Sequence, residues 1–261
     1  MTAGPLVLAA LIALCAGFAA LYFLARRLDN YGIVDIAWSY AFGAVALFYG
    51  LRGTGNPTRR ALIASLALIW SARLGTHLLV RIARHHPEED GRYQQLRRDW
   101  AGRFAPRMAG FFQMQAASVV LLSIPFLAAC LNPDPRLHPL ELAGIALWLA
   151  AISGEALADA QLAAFKRRAG GRGQVCDAGL WRYSRHPNYF FEWLIWVAYF
   201  LIACASPWGW ASIICPASIL FLLLRVTGIP MTEQQSLRSK GDAYRRYQRA
   251  TSAFFPWFPR K

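Results

Sequence analysis

The chain has 261 residues, 56% hydrophobic and 16% charged, with a mean hydropathy of +0.30. That is too apolar for an ordinary soluble domain and suits a polytopic membrane protein. The formal charge of +14 does not point to nucleic acid, because the basic residues stand between apolar runs, where membrane topology accounts for them.

A membrane-crossing helix needs about 20 apolar residues. Seven stretches approach that requirement, at about 6–25, 33–51, 61–80, 110–131, 140–158, 189–205 and 208–224. The first lacks a positively charged leader and runs into Arg26 and Arg27 rather than a cleavage site, so a retained helix is expected. Lys and Arg concentrate in the first, third and fifth connections and in the tail, while the alternate connections hold only Arg52, Arg59, Arg60 and Arg136. The bias predicts an all-α protein of about seven transmembrane helices, with an external amino terminus and a cytoplasmic carboxyl terminus. An integral protein of a bacterial inner (cytoplasmic) membrane is the expectation. Cys15, Cys130, Cys204 and Cys215 lie in apolar runs and Cys176 stands alone in a loop, so neither a disulfide framework nor a zinc site is expected.

Ionisable residues inside a span are costly and mark function by default. Asp35 falls near the cytoplasmic start of the second stretch, Arg73 and His77 share one face of the third, and Arg225 ends the seventh. An Asp35–Arg73 pair that merely holds helices together is the competing reading. The segment 81–107 reads as a partly helical juxtamembrane loop gripping anionic headgroups. Its His85-His86-Pro-Glu88-Glu89-Asp90 cluster is consecutive rather than on one helical face, so no metal site is expected there.

In the fifth stretch Glu155 and Asp159 share a face, with Lys166 two turns beyond Asp159. Such carboxylates can accept from ribose hydroxyls or an amide, and Lys166 with Arg167 and Arg168 can meet phosphate. A plain amphipathic helix leaving a membrane would look similar. The turn Gly170-Gly171-Arg172-Gly173 follows a helix instead of a strand, which argues against a dinucleotide fingerprint and for a flexible turn.

The segment Gly179-Leu-Trp-Arg-Tyr-Ser-Arg-His-Pro-Asn-Tyr189, with Glu192 beyond it, runs into an apolar helix. Pro187 suits the first turn of that helix, which places Arg182, Arg185 and His186 at its electropositive mouth. Such a mouth suits a phosphate or another anion. The tail from Met231 to Pro259 is basic, aromatic and amphipathic, as an interfacial helix with an aromatic anchor would be, although that role needs neither Glu233 nor Arg238.

The segment 179–189 followed by Glu192 resembles the signature of the membrane sterol reductases and, more distantly, the steroid 5-alpha reductases. The stretch Ala158-Asp159-x-Gln161-x-x-Ala164-Phe165-Lys166-Arg167 is similar to the segment preceding that signature in sterol C14 reductases. The tail Glu233…Lys240-Gly241-x-Ala243-Tyr244-x-x-Tyr247, running to a Phe-Pro ending, fits as well. In overall layout the chain looks like the DUF1295 branch of the steroid 5-alpha reductase family.

The resemblance implies one membrane domain over 1–261, with N-terminal helices at 1–135 on the substrate side and a cofactor-binding part at 136–261. It implies an NADPH pocket open to the cytoplasm, with Asp159 and Lys166 contributed by the fifth helix. Trp181, Tyr183, Arg185, His186, Asn188 and Glu192 would line it from the signature, and Glu233, Arg238, Tyr244 and Tyr247 from the tail. The expected activity is reduction of a carbon–carbon double bond in a membrane lipid or steroid-like substrate. The chain departs from the steroid 5-alpha reductases in lacking a Gln-Glu-Leu-Pro motif, and it has His77-Leu78-x-x-Arg81 where they carry His-Tyr-x-x-Arg. His77 or Asp35 is therefore the candidate proton donor. The Arg-His-Pro-x-Tyr motif also occurs in isoprenylcysteine carboxyl methyltransferases, which bind S-adenosylmethionine. Those usually carry Glu-Glu in the tail where this chain has Glu233-Gln234.

Overall fold

The structure, a computed structural model, describes residues 2–85, 88–168 and 173–260. Its secondary structure is helical, with no strand among the described residues. Among the described residues, six helical segments are long and apolar enough to cross a membrane: Ala3–Leu28, Ile33–Arg52, Pro57–His85, Ala101–Leu131, Pro139–Arg168 and Gly209–Lys240. The remaining apolar stretch forms a helix of 17 residues, Pro187–Ala203. The chain divides into two compact units, Met1–His138 with Ala203–Ser212, and Pro139–Ile202 with Ile213–Lys261.

The first unit contains α1 (Ala3–Leu28), α2 (Ile33–Arg52), α3 (Pro57–His85), α4 (Gly91–Asp99), α5 (Phe104–Leu122) and α6 (Ile124–Leu131). Its centre is aromatic: Phe42 of α2 meets Trp70 of α3 and Phe126 of α6 edge-on, with ring centroids 5.4 and 6.5 Å apart. Small residues bring α2 and α3 together. The Ser71 hydroxyl donates to the Ser39 carbonyl at 2.6 Å and accepts from the Gly43 amide at 3.1 Å. The apolar run at 110–131 breaks at Ser123, two residues before Pro125, which has no N–H to continue the ladder. Arg59 is buried at the start of α3, where its guanidinium donates to the carbonyls of Asn132, Asp134 and Arg136.

Residues 88–99, ahead of α5, form a clasp. Arg97 of α4 donates to Asp29 and to Glu89, each at 2.7 Å, and Glu89 also accepts from the Tyr31 amide. For Asp35 the competing reading offers Arg73 of α3 as a partner. Asp35 accepts from Arg92 at 3.1 Å and from the buried Tyr93 hydroxyl at 2.8 Å. Positive charge thus reaches Asp35 from the connecting segment.

The second unit contains α7 (Pro139–Arg168), α8 (Pro187–Ala203), α9 (Ile214–Phe221), α10 (Ile229–Lys240) and α11 (Asp242–Ala250). A short 3-10 turn, Gly179–Arg182, precedes α8, and a π-helical turn, Leu222–Val226, separates α9 from α10. Close approach of α7 and α8 depends on Gly144. A methyl group there would lie 2.9 Å from the Ala198 carbonyl oxygen and 2.7 Å from Ile202. One turn along, the Trp148 indole donates to the Tyr199 hydroxyl at 3.0 Å, so the polar tips of two buried aromatics satisfy each other.

Candidate functional site

The segment 179–189 is held from below by α7. Trp181 donates its indole N–H to the Ala158 carbonyl at 2.9 Å, and the Gln161 side chain accepts the Leu180 amide at 2.9 Å. Gly179 has φ +60°, and a Cβ there would stand 2.6 Å from Gln161 Oε1, so the residue supplies both the left-handed turn and the room. Asn188 Nδ2 reaches Asp159 Oδ1 at 3.3 Å, while its own Oδ1 accepts the Tyr189 amide at 3.0 Å. Pro187 is the first residue of α8, where its missing N–H leaves no acceptor unmet.

From the other side the segment is gripped by the tail. Arg185 Nε donates to Glu233 Oε1 at 2.7 Å, and its Nη1 donates to the carbonyls of Gln248 at 2.9 Å and Thr251 at 2.6 Å. The Arg185 amide bonds the Ser252 carbonyl at 2.8 Å. Glu233 also accepts from Gln248 Nε2 at 2.8 Å and lies 3.3 Å from His186 Nε2. Burial pushes the His186 imidazole below its ordinary value, and the Glu233 hydrogen bond opposes that shift only in part. A neutral ring with its proton on Nε2 fits both observations. The ring stacks on Tyr189 with centroids 5.3 Å apart, and the Tyr189 hydroxyl meets Thr232 at 3.0 Å.

The tail tyrosines complete the clamp. The Tyr247 hydroxyl reaches the carbonyls of Trp181 and Ser184, and Tyr244 meets Tyr247 edge-on at 5.8 Å. Burial pushes Tyr244 up to about 12 and Tyr247 higher still, so both hydroxyls stay protonated, and that of Tyr247 donates to its two carbonyls.

The structure therefore brings together Asp159, Trp181, Arg185, His186, Asn188, Glu233, Tyr244 and Tyr247. In this structure the anion bound by Arg185 is the chain's own Glu233. Tyr183 lies at the edge, exposed, with its ring against Phe258 at 6.0 Å. Glu192 is one turn inside α8 and accepts the Trp196 indole N–H at 2.9 Å. Lys166 at the end of α7 and Arg238 on α10 are exposed cations. Lys240, near enough to Lys166 for the two charges to repel, stands over the Tyr244 ring.

Asp35 and His77 belong to the other unit. Asp35 carries the Arg92 and Tyr93 contacts, and His77 is exposed on α3. Sequence reasoning passed over Gln161, Ser184, Tyr189, Gln248 and Thr251, neutral residues whose contribution is hydrogen bonding across long separations. Gln161, Ser184 and Tyr189 carried a signal, by falling inside segments already singled out. No group of three metal-ligating side chains occurs among the described residues, and His86 of the acidic-histidine cluster lies outside them, as do Gly170, Gly171 and Arg172.

Fold and site together define an all-helical membrane protein whose carboxyl-terminal tail is clamped onto an Arg-His-Pro-Asn-Tyr helix entry. A family model described as "Protein of unknown function (DUF1295)" matches residues 21–251, and the chain belongs to that family. Uncharacterized protein C594.04c of Schizosaccharomyces pombe is 29% identical over 260 residues, covering 87% of this chain and 73% of that one. No solved structure matches.

Proposed function

We propose that this protein is a membrane-embedded, NADPH-dependent reductase of a carbon–carbon double bond in a lipid or steroid-like substrate. The observation that carries the reading is the convergence in one unit of the α7 carboxylate Asp159, the Asn188 amide and the Arg185–Glu233 clamp. The donor set suits a nicotinamide dinucleotide. Lys166 and Arg238 are exposed cations for phosphate, the Asp159 carboxylate can accept from a ribose hydroxyl, and the Asn188 amide can pair with a carboxamide. When bound, NADPH would supply the hydride. Arg185, Glu233 and Tyr247 hold the loop and tail that frame it, and the His186 and Tyr189 rings stack at that end of α8. Protonation of the neighbouring carbon requires an acid. Asp35, ordered by Tyr93 and Arg92, and exposed His77 are the candidates. The reading includes seven crossings, with α8 the shortest, and a site facing the cytoplasm of a bacterial cell.

The test is ligand-dependent thermal stability of the purified chain in detergent. NADPH at about 100 times its dissociation constant is expected to add about 2.7 kcal/mol. Lys166→Ala and Arg238→Ala are expected to weaken NADPH more than NADH. Stabilisation by S-adenosylmethionine and not by NADPH would replace this reading with a methyltransferase of the isoprenylcysteine type.

A further inference from the structure

We infer that the carboxyl-terminal loop forms a binding site for the phosphate of an anionic phospholipid headgroup. Beyond α11 the chain curls into a closed loop, because the Arg260 amide returns to the Ala250 carbonyl at 2.8 Å. The Trp257 amide is fixed to the Tyr183 carbonyl at 2.9 Å, and the Ser184 hydroxyl donates to the Phe254 carbonyl at 2.8 Å. Phe254 is buried against Phe190 and Trp193, so the loop is anchored from within. It encloses a cup of about 290 Å³ with Arg185 and Thr251 among its lining residues, Arg249 and Arg260 at its wall, and Trp257 and Phe258 at its rim.

Charge and apolarity are distributed here as a lipid headgroup would require. Arg249 and Arg260 are exposed and no carboxylate lines the cup among the described residues, so two guanidinium forks stand ready for an oxyanion. Arg185 adds positive charge from beneath while its own donors remain on Glu233 and the loop carbonyls. The rim is the reverse: Trp257 is 71% exposed and Phe258 76%. Two large aromatics in water beside a cationic cup are costly, whereas at a bilayer interface such rings settle at headgroup level. A free phosphate would use the arginines and leave the rim unexplained.

The full-length chain in an uncharged maltoside detergent can be titrated with phosphatidylglycerol, phosphatidylcholine, glycerol phosphate or inorganic phosphate, with native mass spectrometry reading occupancy. Phosphatidylglycerol is expected to bind in preference to phosphatidylcholine. The double substitution Arg249→Gln with Arg260→Gln is expected to weaken it about 30-fold. Trp257→Ala with Phe258→Ala should weaken the lipid and leave glycerol phosphate unaffected. Removing two exposed arginines elsewhere, Arg103→Gln with Arg107→Gln, should leave phosphatidylglycerol binding intact. Equal loss in that control, or equal binding of the two lipids, would reduce the effect to general attraction by a basic protein and overturn the assignment. Inorganic phosphate binding as tightly as the lipid, with the aromatic substitutions silent, would make the cup a free-phosphate site.

Discussion

Arg185 is the residue on which the tail's attachment depends, and its contribution is measurable. Its side chain is 11% exposed and that of Glu233 15%, so their contact is only weakly screened. Arg185→Met removes one bond to a carboxylate and two to carbonyls, and it leaves Glu233 to His186 and Gln248. Breaking one side of a buried pair costs about 3–5 kcal/mol. Glu233→Gln keeps an acceptor near Arg185 and both carbonyl partners, and should cost about 1.5–3 kcal/mol. Residues in direct contact couple, so the double variant should be less destabilised than the sum by about 1–3 kcal/mol. Unfolding in mixed micelles measures all four corners of the cycle, and proteolysis between α10 and Trp257 reports release of the tail. Additivity within about 0.5 kcal/mol would refute the clamp, because it would mean that the two side chains do not support each other in solution.

Other consequences are equally direct. Because burial lowers the folded-state value of His186 below its usual 6.5, the unfolded chain takes up that proton first. Stability should be complete above that pH and fall as pH drops through it, by at most about 1.4 kcal/mol per pH unit, with His186→Asn flattening the profile. Gly144→Ala should cost about 1–3 kcal/mol in the same unfolding assay, and Ile202→Ala should restore only part of it, because the Ala198 carbonyl stays in the way. Tyr93→Phe should cost about 1–3 kcal/mol, and Asp35→Asn should then add less than it does alone.

Much of the helical layout was legible because burying apolar residues in lipid leaves a compositional trace. The runs at 6–25 and 33–51 lie within α1 and α2, and Pro187 marked the start of α8. The interruptions were harder to see. The break at Ser123 falls inside a run that hydropathy reads as one span, and the π-helical turn at Leu222–Val226 straddles the end of another at Arg225, because hydropathy carries no information about backbone hydrogen bonding. Arg185 and Glu233 were both identified, but not as partners, because 48 residues separate them and either could have met a ligand instead. Asp35 shows the same difficulty. Helical spacing offered Arg73, whereas the fold supplied Arg92 from a segment whose path no periodicity describes.

The clamp also sets an order of events during synthesis. Arg185 is made 66 residues before Thr251, the most distant carbonyl partner of its side chain. At translation rates of about 5–20 residues per second, that is a wait of roughly 3–13 s. For the first 48 residues of that interval a guanidinium destined for a largely buried position has neither its carboxylate nor its carbonyls, and the carbonyls come later still. Water or the insertion machinery has to hold it at the edge of the bilayer. The second unit can close only after α11 and the loop beyond it have been made, so a ribosome stalled within α10 would leave the Arg-His-Pro-Asn-Tyr entry open and recognisable to quality-control proteases.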